Sequence, residues 1–271
     1  MLIKYFRGNG LMSEIEEAKS IVLESGNSFH CKVVGFLKKK GWHTQISPYY
    51  MDGSTNKPRE IDLIAEKSWN YKDNFSGVSG TVNIKLFIEC KYIPQVNVFW
   101  FSPKDRACAK AWIKNNTCLV GSETHGHHYL STNENVANLF ASKSKQSTEN
   151  EVIYKALNQS LNAMVYLRHR DSIIPDGFSN GKPILQTIEM PLIICNSFDK
   201  FFRVSVEGSA DPEPIEDAFQ LEVNYAYANS NGRHVNEYFL IDIVDFIKID
   251  KFLAVLDSDK DAVADSIDNR P

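Results

Sequence analysis

Two short segments constrain the fold of this chain more than any other feature: REIDLIAE over 59–66 and IKLFIECKY over 84–92. Successive residues of a strand point to opposite faces, so each segment sorts its side chains into two sets. In the first, Ile61, Leu63 and Ala65 share a face opposite Glu60, Asp62 and Ile64; in the second, Leu86, Ile88 and Cys90 oppose Lys85, Phe87, Glu89 and Lys91. Each strand has an apolar side and a side with charges. IECKY sits in an apolar run of the kind that becomes a central strand, where a charged face demands a reason.

The surrounding pattern is α/β. Residues 13–40 read as helical, with Ser13 and Glu16 as a capping-box pair and an interruption at Gly26–Asn27. The second half carries Phe29, Val33, Val34, Phe36 and Leu37 and closes on Lys38, Lys39, Lys40 and Gly41, where cations and glycine suit a helix C-terminus. Strands are expected over 42–50, 59–66 and 84–92 as an antiparallel meander. Residues 93–150 read as an insertion with an aromatic VFWF run, a short helix over 106–114 and a mobile end at SKSKQSTENE. A strong helix follows over 151–168, then strands over 190–195, 201–206, 219–227 and 238–244, with NSNGRH as a hairpin signal. The organisation expected is a domain over 13–206 containing the insertion, a strand-rich extension over 207–257, and a frayed acidic tail over 258–271.

Charge limits the possible partners. With 30 Lys+Arg against 34 Asp+Glu the formal net charge is −4, so any nucleic-acid surface must be a local patch. Five cysteines without CxxC spacing, and no secretory pattern at the start, fit a reducing cytoplasm. No stretch approaches the roughly 18 apolar residues needed to cross a bilayer.

The chemistry sits in Asp62 followed by Glu89-Cys90-Lys91. Two carboxylates aimed from adjacent strands to one face make a hard oxygen site suited to Mg²⁺, with Mn²⁺ able to substitute, and Lys91 has the parity to reach the same space. A divalent ion beside a lysine is what phosphodiester hydrolysis needs. Glu-x-Lys alone is cheap, since Glu17-Ala18-Lys19 repeats it in a helix. The strand context distinguishes the second copy; the plain alternative is a solvated edge-strand face with a weak ion pair.

The order of helix, strand, strand with Asp62, strand with Glu89-Cys90-Lys91, later helix and later strand resembles the restriction-endonuclease-like PD-(D/E)xK nuclease superfamily. GNSFHCKVVGFLKKKGWHT, REIDLIAE and LFIECKY are similar to its Mrr-like branch. The resemblance implies an αβββαβ core with a mixed central sheet flanked by helices. It implies Asp62 and Glu89 as metal ligands, the Cys90 carbonyl as a third, Lys91 as the catalytic lysine, and Gln159 as an auxiliary residue near the phosphate. The position where that branch carries a helix glutamate holds His30, for which Glu24 or Glu60 could compensate. The implied activity is Mg²⁺-dependent cleavage of DNA in prokaryotic restriction or anti-phage defence, with a homodimer or a partner protein supplying target choice. The rival reading is an inactive, nucleic-acid-binding or scaffolding subunit.

Other features carry less. Cys108, Cys118, His125, His127 and His128 match no common zinc spacing and read as a polar loop with surface histidines. Lys104, Arg106 and Lys110 beside VFWF, and Arg168-His169-Arg170, are candidate backbone-binding patches.

Overall fold

A computed structural model describes residues 6–53, 55–72, 79–119, 121–142, 152–168, 184–208, 211–229 and 232–268. Helix α1 (Phe6–Glu24) gives way at Ser25–Gly26 to α2 (Asn27–Lys39). Ser13 lies inside α1 and not at its cap, because the helix begins earlier than the apolar spacing indicates. At the end of α2, Gly41 takes φ +82°; its N–H donates to Lys38 O and that of Trp42 to Leu37 O. This paired closure needs a left-handed residue, and glycine adopts that conformation without cost.

The strands expected over 42–50 and 59–66 are both broken. β1 (His43–Ile46) and β2 (Tyr49–Asp52) separate at Ser47, which has φ +49°, and β3 (Lys57–Glu60) and β4 (Leu63–Lys72) separate at Ile61–Asp62. The two breaks lie side by side: Ser47 N–H donates to Asp62 O and Ile61 N–H to Pro48 O. They let the β2–β3 pair fold out of the main sheet as its own hairpin, while β1 pairs with β4 and β4 with β5 (Ser79–Lys91), both antiparallel.

Next come β6 (Asn97–Pro103), α3 (Arg106–Asn116), the short α4 (His128–Ser131), β7 (Asn135–Ser142), α5 (Val152–Leu167) and β8 (Ile184–Cys195). The chain then forms β9 (Phe201–Ser205), β10 (Glu213–Pro214), β11 (Phe219–Ala228), β12 (His234–Asp245) and α6 (Ile249–Asp268). One ten-stranded mixed sheet takes the order β1-β4-β5-β8-β12-β11-β7-β6-β9-β10. β5 and β8 are parallel, with α5 leading into β8 after the chain has passed through β6 and β7, while β8 also runs parallel to β12.

The fold is therefore α/β with a mixed central sheet flanked by helices. The boundaries expected at 206 and 257 mark no break in it. β6 and β7 come from the expected insertion, and β12, from the expected extension, lies against β8. The segment over 258–271, expected to fray, is helical as far as Asp268 and buries Asp259, Val263 and Ser266. The end of the insertion over 143–150 and the turn PDGFSNGKP lie outside the described residues. Among the described residues, no helix is long and apolar enough to cross a membrane.

The parity read from the sequence separates the two faces of the sheet. Leu63, Ala65 and Trp69 of β4 with Leu86 and Ile88 of β5 lie on one side, where Lys260 of α6 sits over the Trp69 ring. Helix α5 covers the other side, with Ser160 Oγ donating to Phe87 O at 2.8 Å across a close helix–sheet approach. All five cysteines are unpaired thiols.

Candidate active site

β5 lies between β4 and β8 and has no free edge, so its charged face is covered ground. Asp62 sits one step before β4, and the register Leu63↔Ile88 carries it opposite Glu89. Two backbone amides lock the pair: Cys90 N–H donates to Asp62 Oδ2 at 2.8 Å, and Asp62 N–H donates to Glu89 Oε1 at 3.2 Å. Lys91 Nζ lies 2.5 Å from Glu89 Oε2 and 3.4 Å from Asp62 Oδ2. Three titratable side chains from two adjacent strands thus meet around one point.

The electrostatics of this point are set by burial. Glu89 is fully buried, and desolvation pushes its carboxyl up to about 8 against the opposing pull of Lys91. Lys91 titrates above the ordinary lysine range: desolvation alone would lower it, but the charges of Glu89 and Asp62 outweigh that effect. Two carboxyl groups share one ammonium, which is not enough to hold the buried Glu89 at its ordinary carboxylate value.

The remaining candidates are distributed around this centre. Gln159 is on α5 and Glu60 on β3, and both line a cleft of about 620 Å³ between the β2–β3 hairpin and α5. Glu60 stands across the hairpin from Tyr49. The break at Ile61–Asp62 takes it out of the β4 ladder, so strand parity with Asp62 no longer determines its position. Cys90 contributes its amide to Asp62, and desolvation raises its half-buried thiol well above the ordinary range. His30 lies on α2 with Nε2 buried and without a hydrogen-bond partner. The side chain of Glu24 is outside what is described.

The cleft holds residues the sequence did not single out. The hairpin contributes Tyr50 and Arg59, while α5 contributes Tyr154, Lys155, Asn158 and Asn162 at helical spacing. Tyr50 stacks on Tyr166 with ring centroids 6.4 Å apart, and the charges of Asp52 and Glu89 add to the effect of burial on its phenol. The signal in sequence was the Tyr-x₃-Asn-x₃-Asn-x₃-Tyr run from 154 to 166, one polar stripe on an otherwise apolar helix.

A second ionic cluster lies around α4. His127 and His128, expected on the surface, are buried. His128 holds Asp259 of α6 through Nδ1 and Asp242 of β12 through Nε2, the latter at 2.9 Å, and its N–H donates to Asp259 Oδ1 at 2.7 Å. Flanking carboxylates overcome desolvation and raise this imidazole to about 10, whereas burial lowers His127 to about 4. His127, His128 and Asp259 offer ligand atoms within 4.8 Å of one another, a grouping that could hold a metal. With both ring nitrogens of His128 engaged by carboxylates, and His127 Nδ1 accepting from Tyr129 N–H, the imidazolium itself supplies the cation here.

One cation of each expected patch is committed elsewhere. Lys104 is buried, donating to Tyr129 O and Thr132 O, and burial lowers its ammonium to about 8. Arg168 makes a bidentate pair with Glu237 at 2.7 and 2.6 Å, tying the end of α5 to β12. His169 and Arg170 lie outside the described residues. No protein-family model, curated protein or solved structure matches the chain.

Proposed function

We propose that the chain is a metal-dependent nuclease that hydrolyses phosphodiester bonds of DNA, with its centre at Asp62, Glu89 and Lys91. The observation that carries this reading is the convergence of two carboxylates and an ammonium on β4 and β5, beside an open cleft. The donor set fits a hard divalent ion: oxygen-only ligands and a buried Glu89 whose ionisation needs more positive charge than Lys91 provides. Asp62 and Glu89 would hold Mg²⁺ or Mn²⁺, with the Cys90 carbonyl as a further oxygen ligand. Such an ion neutralises phosphate charge and lowers the pKa of a bound water.

The protein groups have separate tasks. The Cys90 amide orients Asp62, and the Asp62 amide orients Glu89, so the carboxylates are fixed without side-chain searching. Lys91 places a cation where negative charge grows in the transition state. Gln159 reaches the cleft from α5 as an auxiliary contact near the phosphate. The run α2–β1–β4–β5–α5–β8, with three antiparallel neighbours and then a parallel one, supports a restriction-endonuclease-like αβββαβ core. A cytoplasmic role in restriction or anti-phage defence, acting as a homodimer or with a partner protein, belongs to the same reading.

His30, in place of a helix glutamate, favours the rival: a nuclease-like subunit that binds nucleic acid without cutting it. Incubating the purified chain with plasmid in Mg²⁺, Mn²⁺ or EDTA separates the two. Metal-dependent cutting that disappears in Asp62→Ala supports the enzyme, and DNA binding without cutting in any metal supports the rival.

A further inference from the structure

We propose that the cleft between the β2–β3 hairpin and α5 seats an unpaired strand of nucleic acid, with its bases against Tyr154 and the α5 amides and its backbone toward Arg59 and Lys155. This rests on the nuclease reading of the neighbouring centre and adds the form of its substrate. A duplex displays phosphates outward and hides the base edges used in pairing, so a surface that grips it is built mainly from cations. This cleft has two cations, and one of them, Arg59, is partly engaged by Asp52 at 3.5 Å. Apart from the Glu60 carboxylate, the other functional groups are amides and phenols, which match base edges and base faces.

The amides are arranged for that use. Asn158 donates from Nδ2 to the Tyr154 carbonyl, and Asn162 accepts at Oδ1 from the Tyr225 hydroxyl at 2.8 Å. One keeps its acceptor and the other keeps its donors, a turn apart on the same stripe of α5. Base edges offer donors and acceptors side by side, and they become accessible only when the strand is unpaired. The half-buried Tyr154 lies one turn before Asn158, and the exposed Lys155 follows it. The volume of about 620 Å³ is in the range of pockets for small ligands, which suits a nucleotide or two and not a double helix. Glu60, which lines the cleft, is two residues before Asp62 in the chain.

The test is fluorescence anisotropy of the full chain in EDTA, so that no cutting intervenes. The probes are labelled single-stranded DNA and RNA oligonucleotides of mixed sequence and the duplex of each. At least tenfold tighter binding of a single strand than of its duplex is expected, and the tighter of the two single strands identifies the sugar. Tyr154→Ala should weaken single-strand binding roughly tenfold or more, the loss of one stacking face, with Tyr154→Phe restoring it. Lys155→Glu, on the exposed surface, should weaken binding and flatten its salt dependence without altering the circular dichroism spectrum. Equal or tighter duplex binding, or single-strand binding indifferent to both Tyr154→Ala and Lys155→Glu, overturns the proposal. Selective single-strand binding with no cutting in Mg²⁺ or Mn²⁺ would uphold the cleft and reject the nuclease; cutting with duplex preference would do the reverse.

Discussion

Among the described residues, Lys91 is the only cation paired with either carboxylate of the centre, so its removal should expose what each partner needs. Lys91→Ala is expected to lower metal-dependent cleavage by about 10²–10³-fold, the usual cost of deleting one group that stabilises transition-state charge, read as initial rate on plasmid. The same variant leaves Glu89 buried with less opposing charge, so its carboxyl should titrate still higher than about 8. Metal binding should register on stability as well. Mn²⁺ at a hundredfold excess over its Kd should stabilise the wild type by about 2.7 kcal/mol, seen as a higher Tm, and Asp62→Asn should abolish the response. At this scale the sequence was informative, because alternation places Glu89 and Lys91 on one face of β5, and Asp62, one step before β4, falls opposite Glu89 by the register of the two strands. Tyr50, Arg59 and Asn158 were not legible as one cleft, since only the break at Ile61–Asp62 turns the hairpin toward α5.

Among the elements, α6 depends most on a few polar contacts, being bolted to β12 and α4 through Asp259, His128 and Asp242. Replacing one member leaves a buried charge unpaired, so His128→Ala or Asp259→Ala should cost about 3–5 kcal/mol, and the double variant should cost much less than the sum. Both are measurable by denaturant unfolding. The pH dependence has two arms of opposite sign. His128 is raised to about 10, so its stabilisation is complete below its unfolded pKa near 6.5 and is lost as pH rises toward 10. His127 is lowered to about 4, so the unfolded chain takes up the proton first and stability falls as pH drops from 6.5 toward 4. Stability contributed by this pair should therefore peak near pH 6.5, and His128→Ala should flatten the alkaline arm. None of this was visible locally, because His128 meets partners 131 and 114 positions away. The helix itself left a trace: Ile249, Phe252, Leu256 and Val263 recur at helical spacing beneath an acidic surface that looked like a solvated tail.

Across the whole molecule, the sheet allows no separable half around Asp62, Glu89 and Lys91. β8 receives β5 on one side and β12 on the other, so a chain ending at residue 206 would uncover the buried edge of β8 over 192–195. Such a truncation should be insoluble or unfolded, whereas the full chain should melt in one cooperative transition by calorimetry. The α/β class and most strands could be read from alternation and turn residues. The unity of the sheet could not, because β6 pairs with β9 and β5 with β8 across about a hundred residues of sequence, and pairing partners leave no local signature. The central claim is that this sheet presents Asp62, Glu89 and Lys91 as one hydrolytic centre, and its most direct test is the Mn²⁺-dependent DNA cleavage rate of the wild type beside Asp62→Asn, Glu89→Gln and Lys91→Ala, each checked for folding by circular dichroism. Cleavage that is strong in the wild type and at least a hundredfold weaker in all three folded variants is expected; cleavage that persists undiminished in them would place the chemistry elsewhere.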